Sequence, residues 1–177
     1  MREDVGASLT MTDTKRPISP ELRRIADDLQ RMFVGNAWHG PSVSDALTNV
    51  TSSMAIAASL PGAHNIFELT HHIAAWVGEV THRLKGGKSG EPTDGDFPAK
   101  DATVDDAGWT ALLTRVAARH EELIGAILAF DAARLDEVIG RAEPNDAANT
   151  YRKMLHGVIA HDAYHAGQIV LLRNALG

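Results

Sequence analysis

The stretch MLHGVIAHDAYHAGQIVLL, residues 154–172, carries two histidines, His161 and His165, four positions apart within an apolar pattern. At about 100° per residue, both histidines lie within roughly 20° of the centre of the apolar stripe. Positions i and i+4 lie one above the other on a helix. The pattern therefore predicts a helix over residues 150–175 that turns both imidazoles toward the core, where a polar ring needs a partner.

Apolar residues recur at helical spacing in three further long segments, and no segment shows strand alternation or an internal repeat. Ser19 and Pro20 are typical of a helix start, and Gly35 and Asn36 of a helix end. Four long helices joined by loops indicate an all-α four-helix bundle with extra short helical turns. The expected elements are long helices over 20–34, 65–85 and 104–128, a broken helical stretch over 42–60, a short turn within 131–139, and loops over 88–101 and 141–149.

Composition and charge limit the classes of protein to which the chain can belong. A length of 177 residues suits one domain, expected over residues 19–177 after a flexible lead-in over residues 1–18. A net charge of −6 with scattered Lys and Arg argues against a nucleic-acid partner. No run approaches the roughly 18 apolar residues of a membrane span. The absence of cysteine and of a signal-peptide core favours the cytoplasm.

A third inward histidine is expected on the helix over 65–85, where His71 and His72 point about 100° apart. His72 lies at the edge of the apolar face, whereas His71 points away from it. Any one of the inward histidines could be a packed residue at a helix interface. Together, His72, His161 and His165 would form a tripod of neutral imidazoles with one position open for water, as in catalytic zinc sites.

Three other polar residues are weaker candidates for catalytic roles. Glu68, one turn before His72, could orient a metal ligand or act as a base, although a solvated helical glutamate is the plainer interpretation. Asp162 could accept an imidazole N–H, and Gln168 shares the face of His165 one turn further on. Packing or capping roles are the alternatives for each of them.

Three residues are candidates for substrate binding: His39, His120 and Tyr164. His120 lies on the apolar face of the third long helix, and it could be a fourth metal ligand, a substrate contact or a buried structural histidine. Tyr164 lies beside the metal-facing stripe of the last helix. His39 and His64 could approach the site from loops.

Two histidine-bearing strings about ninety positions apart carry a resemblance to a known family. They are HNIFELTHHIAAW over residues 64–76 and HGVIAHDAYHAGQI over residues 156–169, with AWHGPS over residues 37–42 in support. Together they resemble the DinB-like (damage-inducible, YfiT-type) superfamily. The resemblance covers nearly all of the chain from about residue 20 to residue 176.

This resemblance implies an up-down-down-up four-helix bundle that binds a divalent metal ion through three histidines, which correspond to His72, His161 and His165. It also implies a homodimer and, for some members, hydrolase-like activity or thiol-dependent transferase or isomerase activity with a low-molecular-weight thiol. We therefore expect a metal-dependent enzyme acting on a small molecule, with zinc in the cell and nickel in some preparations. The alternative is a non-catalytic, stress-associated helical protein that binds metal. Exposure of Val170 and Leu171 would support the homodimer.

Overall fold

The computed structural model describes residues 17–99, 102–139 and 149–177. Within these ranges the secondary structure is helical, apart from one antiparallel bridge between Val138 and Thr150. No helix there is both long and apolar enough to cross a membrane. The helices are α1 (Pro20–Val34), α2 (Val43–Leu47), α3 (Ser52–Ala55), α4 (Ile66–Leu84), α5 (Asp106–Ala129) and α6 (Tyr151–Ala175), with a 3-10 turn at Ala132–Arg134.

The long helices begin where a polar side chain caps their free N–H groups. The Ser19 hydroxyl accepts from the backbone N–H of Glu21, with Pro20 at the first position of α1, as the sequence predicts. Asn65 and Glu68 cap α4 reciprocally, since each side chain accepts from the backbone N–H of the other. These caps place the observed helix ends within about two residues of the predicted ones.

Contacts among the four long helices enclose a core of aliphatic side chains. Helix α4 packs against α5 and α6, and α1 packs against the same two helices. The all-helical prediction is confirmed for the described residues, while the up-down-down-up order of the helices stays a prediction. Fully buried core residues include Leu29, Ile73, Leu123, Ile127, Leu155 and Ile169.

The described part of the predicted surface loop over 88–101 packs across α4. The buried Glu79 carboxylate accepts from Arg83 Nε at 2.7 Å and from the Gly90 backbone N–H at 3.3 Å. Further along, the Asp96 carboxylate accepts from Trp76 Nε1 at 2.7 Å. The bonds from Gly90 to Glu79 and from Trp76 to Asp96 hold the segment over the face of α4 that carries His72.

Two predicted segments fall mainly outside the described residues. The lead-in over 1–18 is described only at residues 17 and 18, and the loop over 141–149 only at residue 149. The broken stretch over 42–60 contains α2 and α3, and the turn within 131–139 contains the 3-10 turn. The proposed domain boundaries therefore remain predictions.

Candidate metal centre

Three histidine rings from two helices converge on one point. Helix α4 supplies His72, and α6 supplies His161 and His165 from successive turns. The Nε2 atom of His161 lies 2.9 Å from Nε2 of His72 and 3.1 Å from Nε2 of His165. The structure therefore brings together the three histidines that the helical faces predict, and they could hold a metal ion.

The spacing of these nitrogen atoms fits a shared cation. Two unprotonated nitrogen atoms at 2.9 Å would direct their lone pairs at each other, so either a proton or a cation must lie between them. Nitrogen ligands of one tetrahedral zinc ion, each about 2.0–2.1 Å from it, lie about 3.3 Å apart. Among the described residues, no fourth histidine, aspartate or glutamate joins the group.

Oxygen acceptors at the outer nitrogen atoms orient two of the rings. His72 Nδ1 lies 3.0 Å from the Asp96 carbonyl oxygen and 2.9 Å from its carboxylate. His165 Nδ1 lies 2.6 Å from Gln168 Oε1. A neutral ring that donates from Nδ1 keeps its lone pair on Nε2, so both contacts select the tautomer that binds metal at the cluster.

The third ring, that of His161, faces a buried carboxylate with only one of its two oxygen atoms hydrogen-bonded. His161 Nδ1 lies 3.8 Å from Asp162 Oδ1, and both atoms are buried without a hydrogen-bond partner. The other oxygen, Asp162 Oδ2, lies 3.0 Å from His120 Nε2. Burial alone would raise the pKa of Asp162, but the neighbouring His120 and His161 rings lower it further than burial raises it. Asp162 is therefore an anion next to the cluster.

Two of the cluster histidines are neutral at pH 7. Burial lowers the pKa of His72, and the nearby His161 ring lowers it further. Burial also lowers the pKa of His165, to about 4, again with a contribution from His161. Neutral imidazole is the form that binds metal, so these two rings need lose no proton to act as ligands near pH 7.

Glu68 and His120 make hydrogen bonds that do not involve the three cluster histidines. The Glu68 carboxylate caps α4 through Asn65 and also lies 3.0 Å from His64 Nδ1. His120 is 0% exposed, with Nδ1 2.8 Å from the Val116 carbonyl and Nε2 on Asp162. No ring nitrogen of His120 is left for a metal, and no surface is left for a substrate. Of its three predicted roles, the buried structural one matches these contacts.

The remaining candidates lie in two different places. Tyr164 is 64% exposed beside His165, at 5.0 Å between ring centroids, and its hydroxyl accepts from Gln168 Nε2 at 3.3 Å. His39 contacts the sulfur of Met32 at 2.9 Å and lines a separate cavity of about 530 Å³ that contains none of the cluster histidines. Of the two, only Tyr164 adjoins the cluster.

Sequence reasoning missed Asp96 and Phe97, which cover His72. The Phe97 ring stacks on His72 at 4.4 Å and on His64 at 3.9 Å between centroids. Both residues lie in a segment rich in glycine and proline, where no periodic pattern assigns a face. One signal was available: the Trp76 indole N–H, one turn beyond His72, needs an acceptor, and Asp96 supplies it.

Comparison with known families agrees with this geometry. A family model described as the DinB superfamily matches residues 38–169, more than half of the chain, and this range contains all three cluster histidines. No curated protein and no solved structure gives a significant match. The resemblance drawn from the two histidine-bearing strings is thus confirmed.

Proposed function

The chain belongs to the DinB superfamily, and we propose that it is an enzyme that uses one divalent metal ion held by His72, His161 and His165. The observation that carries the proposal is the convergence of three Nε2 atoms, two pairs of which lie 2.9 and 3.1 Å apart. Three protein ligands leave a position open, which is typical of catalytic rather than structural zinc sites. Zinc is the proposed ion in the cell, and nickel suits the same imidazole donors.

The proposed reaction is hydrolysis or thiol-dependent transfer or isomerisation on a small molecule. A divalent ion at this site supplies a Lewis acid that lowers the pKa of a water molecule or a thiol. The chain has no cysteine, so a reacting thiol must be a separate low-molecular-weight molecule. Tyr164, exposed beside His165, is placed to contact the substrate.

The residues around the rings hold them in position. Asp96 and Gln168 accept from the outer nitrogen atoms of His72 and His165. Asp162 is placed to do the same for His161, because a small rotation of that ring would join the two unpartnered atoms that now lie 3.8 Å apart. Such partners fix the ring orientation and raise ligand basicity.

The proposal also includes the arrangement and setting of the protein. The four long helices run up-down-down-up, and two copies associate as a homodimer in the cytoplasm. The family assignment supports this arrangement. The net charge of −6 supports a small-molecule substrate rather than a nucleic acid.

Metal analysis of the untagged protein tests the site. The wild-type chain is expected to bind one equivalent of zinc in equilibrium dialysis, and His72→Ala is expected to lose it. His71→Ala is the matched control, because that neighbouring ring is held by the Asp94 carbonyl and by Arg115 outside the cluster. Full zinc retention in His72→Ala would contradict the site assignment.

A second measurement separates an enzyme from a protein that only binds metal. Cobalt-loaded protein is expected to change its visible spectrum when a thiol or azide is added, because an open position accepts the new ligand. Hydrolase and thiol-transfer activities should then disappear when the metal is removed with a chelator. An unresponsive cobalt spectrum together with no chelator-sensitive activity would favour the non-catalytic alternative.

A further inference from the structure

A cleft lined mainly by leucines adjoins the histidine cluster. It has a volume of about 270 Å³ and lies between the segment before α4, the first turn of α4 and the second half of α6. We propose that this leucine cleft binds an uncharged aliphatic group of the substrate, an inference that rests on the function proposed above. Gly62 and Ala63 contribute to its wall, and its larger side chains are Leu60, His64, Leu69, Gln168, Leu171 and Leu172.

Two polar side chains connect the leucine cleft to the cluster. Gln168 lines the cleft, and its Oε1 atom lies 2.6 Å from Nδ1 of His165. His64 also lines the cleft and stacks on Phe97, which in turn stacks on His72. The cleft therefore begins one or two side chains from two of the three proposed ligands. None of the three histidines lines the cleft itself, so a molecule bound at the cluster would pass Gln168 to reach it.

The lining of the cleft determines the chemistry of its occupant. It contains no lysine, arginine, aspartate or glutamate, and its two polar side chains already contact other groups, His64 with Glu68 and Gln168 with His165 and Tyr164. A charged group there would lose hydration without gaining an oppositely charged partner that is free to pair with it. A second cavity, of about 260 Å³, is lined by Lys85, Arg119 and Glu122 and would suit a charged ligand instead. The leucine cleft thus fits a short or branched alkyl group.

The rim of the cleft supports a small-molecule occupant. Leu60 is 39% exposed and Leu171 is 60% exposed, so both leucines leave apolar surface in water. Apolar surface that surrounds a pocket with a few convergent polar groups is typical of small-molecule sites. An alkyl group in the cleft would cover this surface and keep the reacting end of the substrate at the histidines.

A series of straight-chain hydroxamates tests the proposal on the zinc-loaded protein. The hydroxamate group binds zinc, and the alkyl chain is lengthened from acetohydroxamate to hexanohydroxamate. Calorimetric titration is expected to show affinity rising about fourfold per added methylene until the cleft is filled. Equal affinity at every chain length would overturn the proposed role of the cleft and leave the three-histidine site unaffected. Absence of zinc-dependent binding at every length would overturn the open coordination position in the function proposed above, and the role of the cleft with it.

Two matched variants locate the chain-length effect. Leu171→Glu places a carboxylate at the rim and is expected to weaken hexanohydroxamate binding at least about tenfold relative to acetohydroxamate, while zinc stoichiometry stays unchanged. Val34→Glu is the control, since Val34 is similarly exposed, at 53%, on α1. An unchanged chain-length series in Leu171→Glu would overturn the assignment to this cleft. If the wild-type affinity does not change with chain length, and Leu171→Glu converts a dimer into monomers, the cleft is instead part of an interface between two copies of the chain.

Discussion

Asp162 connects the histidine cluster to the interior of the protein. Its side chain is fully buried, one oxygen is held by His120, and the other faces the unpartnered His161 Nδ1. These two unpartnered atoms face each other across 3.8 Å, so Asp162 lies where it can accept from the His161 ring. This residue is therefore the most informative position outside the three histidines.

Asp162→Asn is expected to weaken zinc binding about 10- to 100-fold while leaving one equivalent bound, because the amide removes the negative charge beside His161. Competition with a chromophoric chelator measures the change. Glu68→Ala is the control. It removes the cap of α4 and should lower the free energy of unfolding by about 1 kcal/mol with zinc affinity nearly unchanged. Equal loss of zinc affinity in both variants would contradict a specific role for Asp162.

The metal-free protein is expected to lose stability as the pH falls from about 6.5 to about 4. The pKa of His165 is lowered to about 4 from 6.5, and that of His72 is also lowered, so the unfolded chain binds more protons in this range. The contribution of these rings to the free energy of unfolding is fully present above pH 6.5 and decreases as the pH falls below it. The melting temperature measured by calorimetry across this range checks the direction.

Matched substitutions on α6 assign this pH dependence to His165. His165→Gln should flatten the dependence of the melting temperature on pH. His156→Gln should not, because His156 is exposed on the same helix. A slope that is unaltered in His165→Gln would show that other groups account for the acid sensitivity.

At the scale of elements, the segment after α4 acts as a cover for the cluster. Asp96 is expected to matter because it accepts from both Trp76 and His72. Asp96→Ala should therefore weaken zinc binding about tenfold or more and alter the tryptophan fluorescence. Asp94→Ala is the control in the same segment. It removes only a partly exposed ion pair with Arg119 of α5, so this variant should bind zinc normally. Normal zinc binding by both variants would show that this segment does not contribute to the metal site.

The sequence predicted helices and their faces well because both follow a repeating pattern. His72 could be predicted as a ligand in preference to His71 because the two side chains point about 100° apart around the helix axis. The structure places His72 in the cluster. Asp96 and Phe97 could not be chosen, because a segment without periodicity can cross a helix face at any position. Similarly, the sequence offers Asp162 as an acceptor for an imidazole N–H, but its full burial and its contact with His120, which reaches it from α5, depend on the tertiary packing.

At the scale of the whole molecule, the homodimer can be tested directly. Sedimentation at micromolar concentration is expected to give twice the mass of the 19.0 kDa chain. Val170 and Leu171 were both expected on the exposed face of α6. Leu171 is 60% exposed at the rim of the leucine cleft, and Val170 is partly buried against the core. A single species of 19.0 kDa would contradict the dimer and leave the metal site unaffected.

The histidine cluster takes its rings from α4 and α6, and His72 and His161 stand 89 positions apart in the chain. Neither helix alone offers all three nitrogen atoms, so an ion that needs the complete set can be held only after the two helices have docked. Uptake of the proposed ion would then follow the docking of α4 and α6 during folding. Once bound, the proposed ion would stabilise the docking of the two helices, because it binds the folded chain and not the unfolded one.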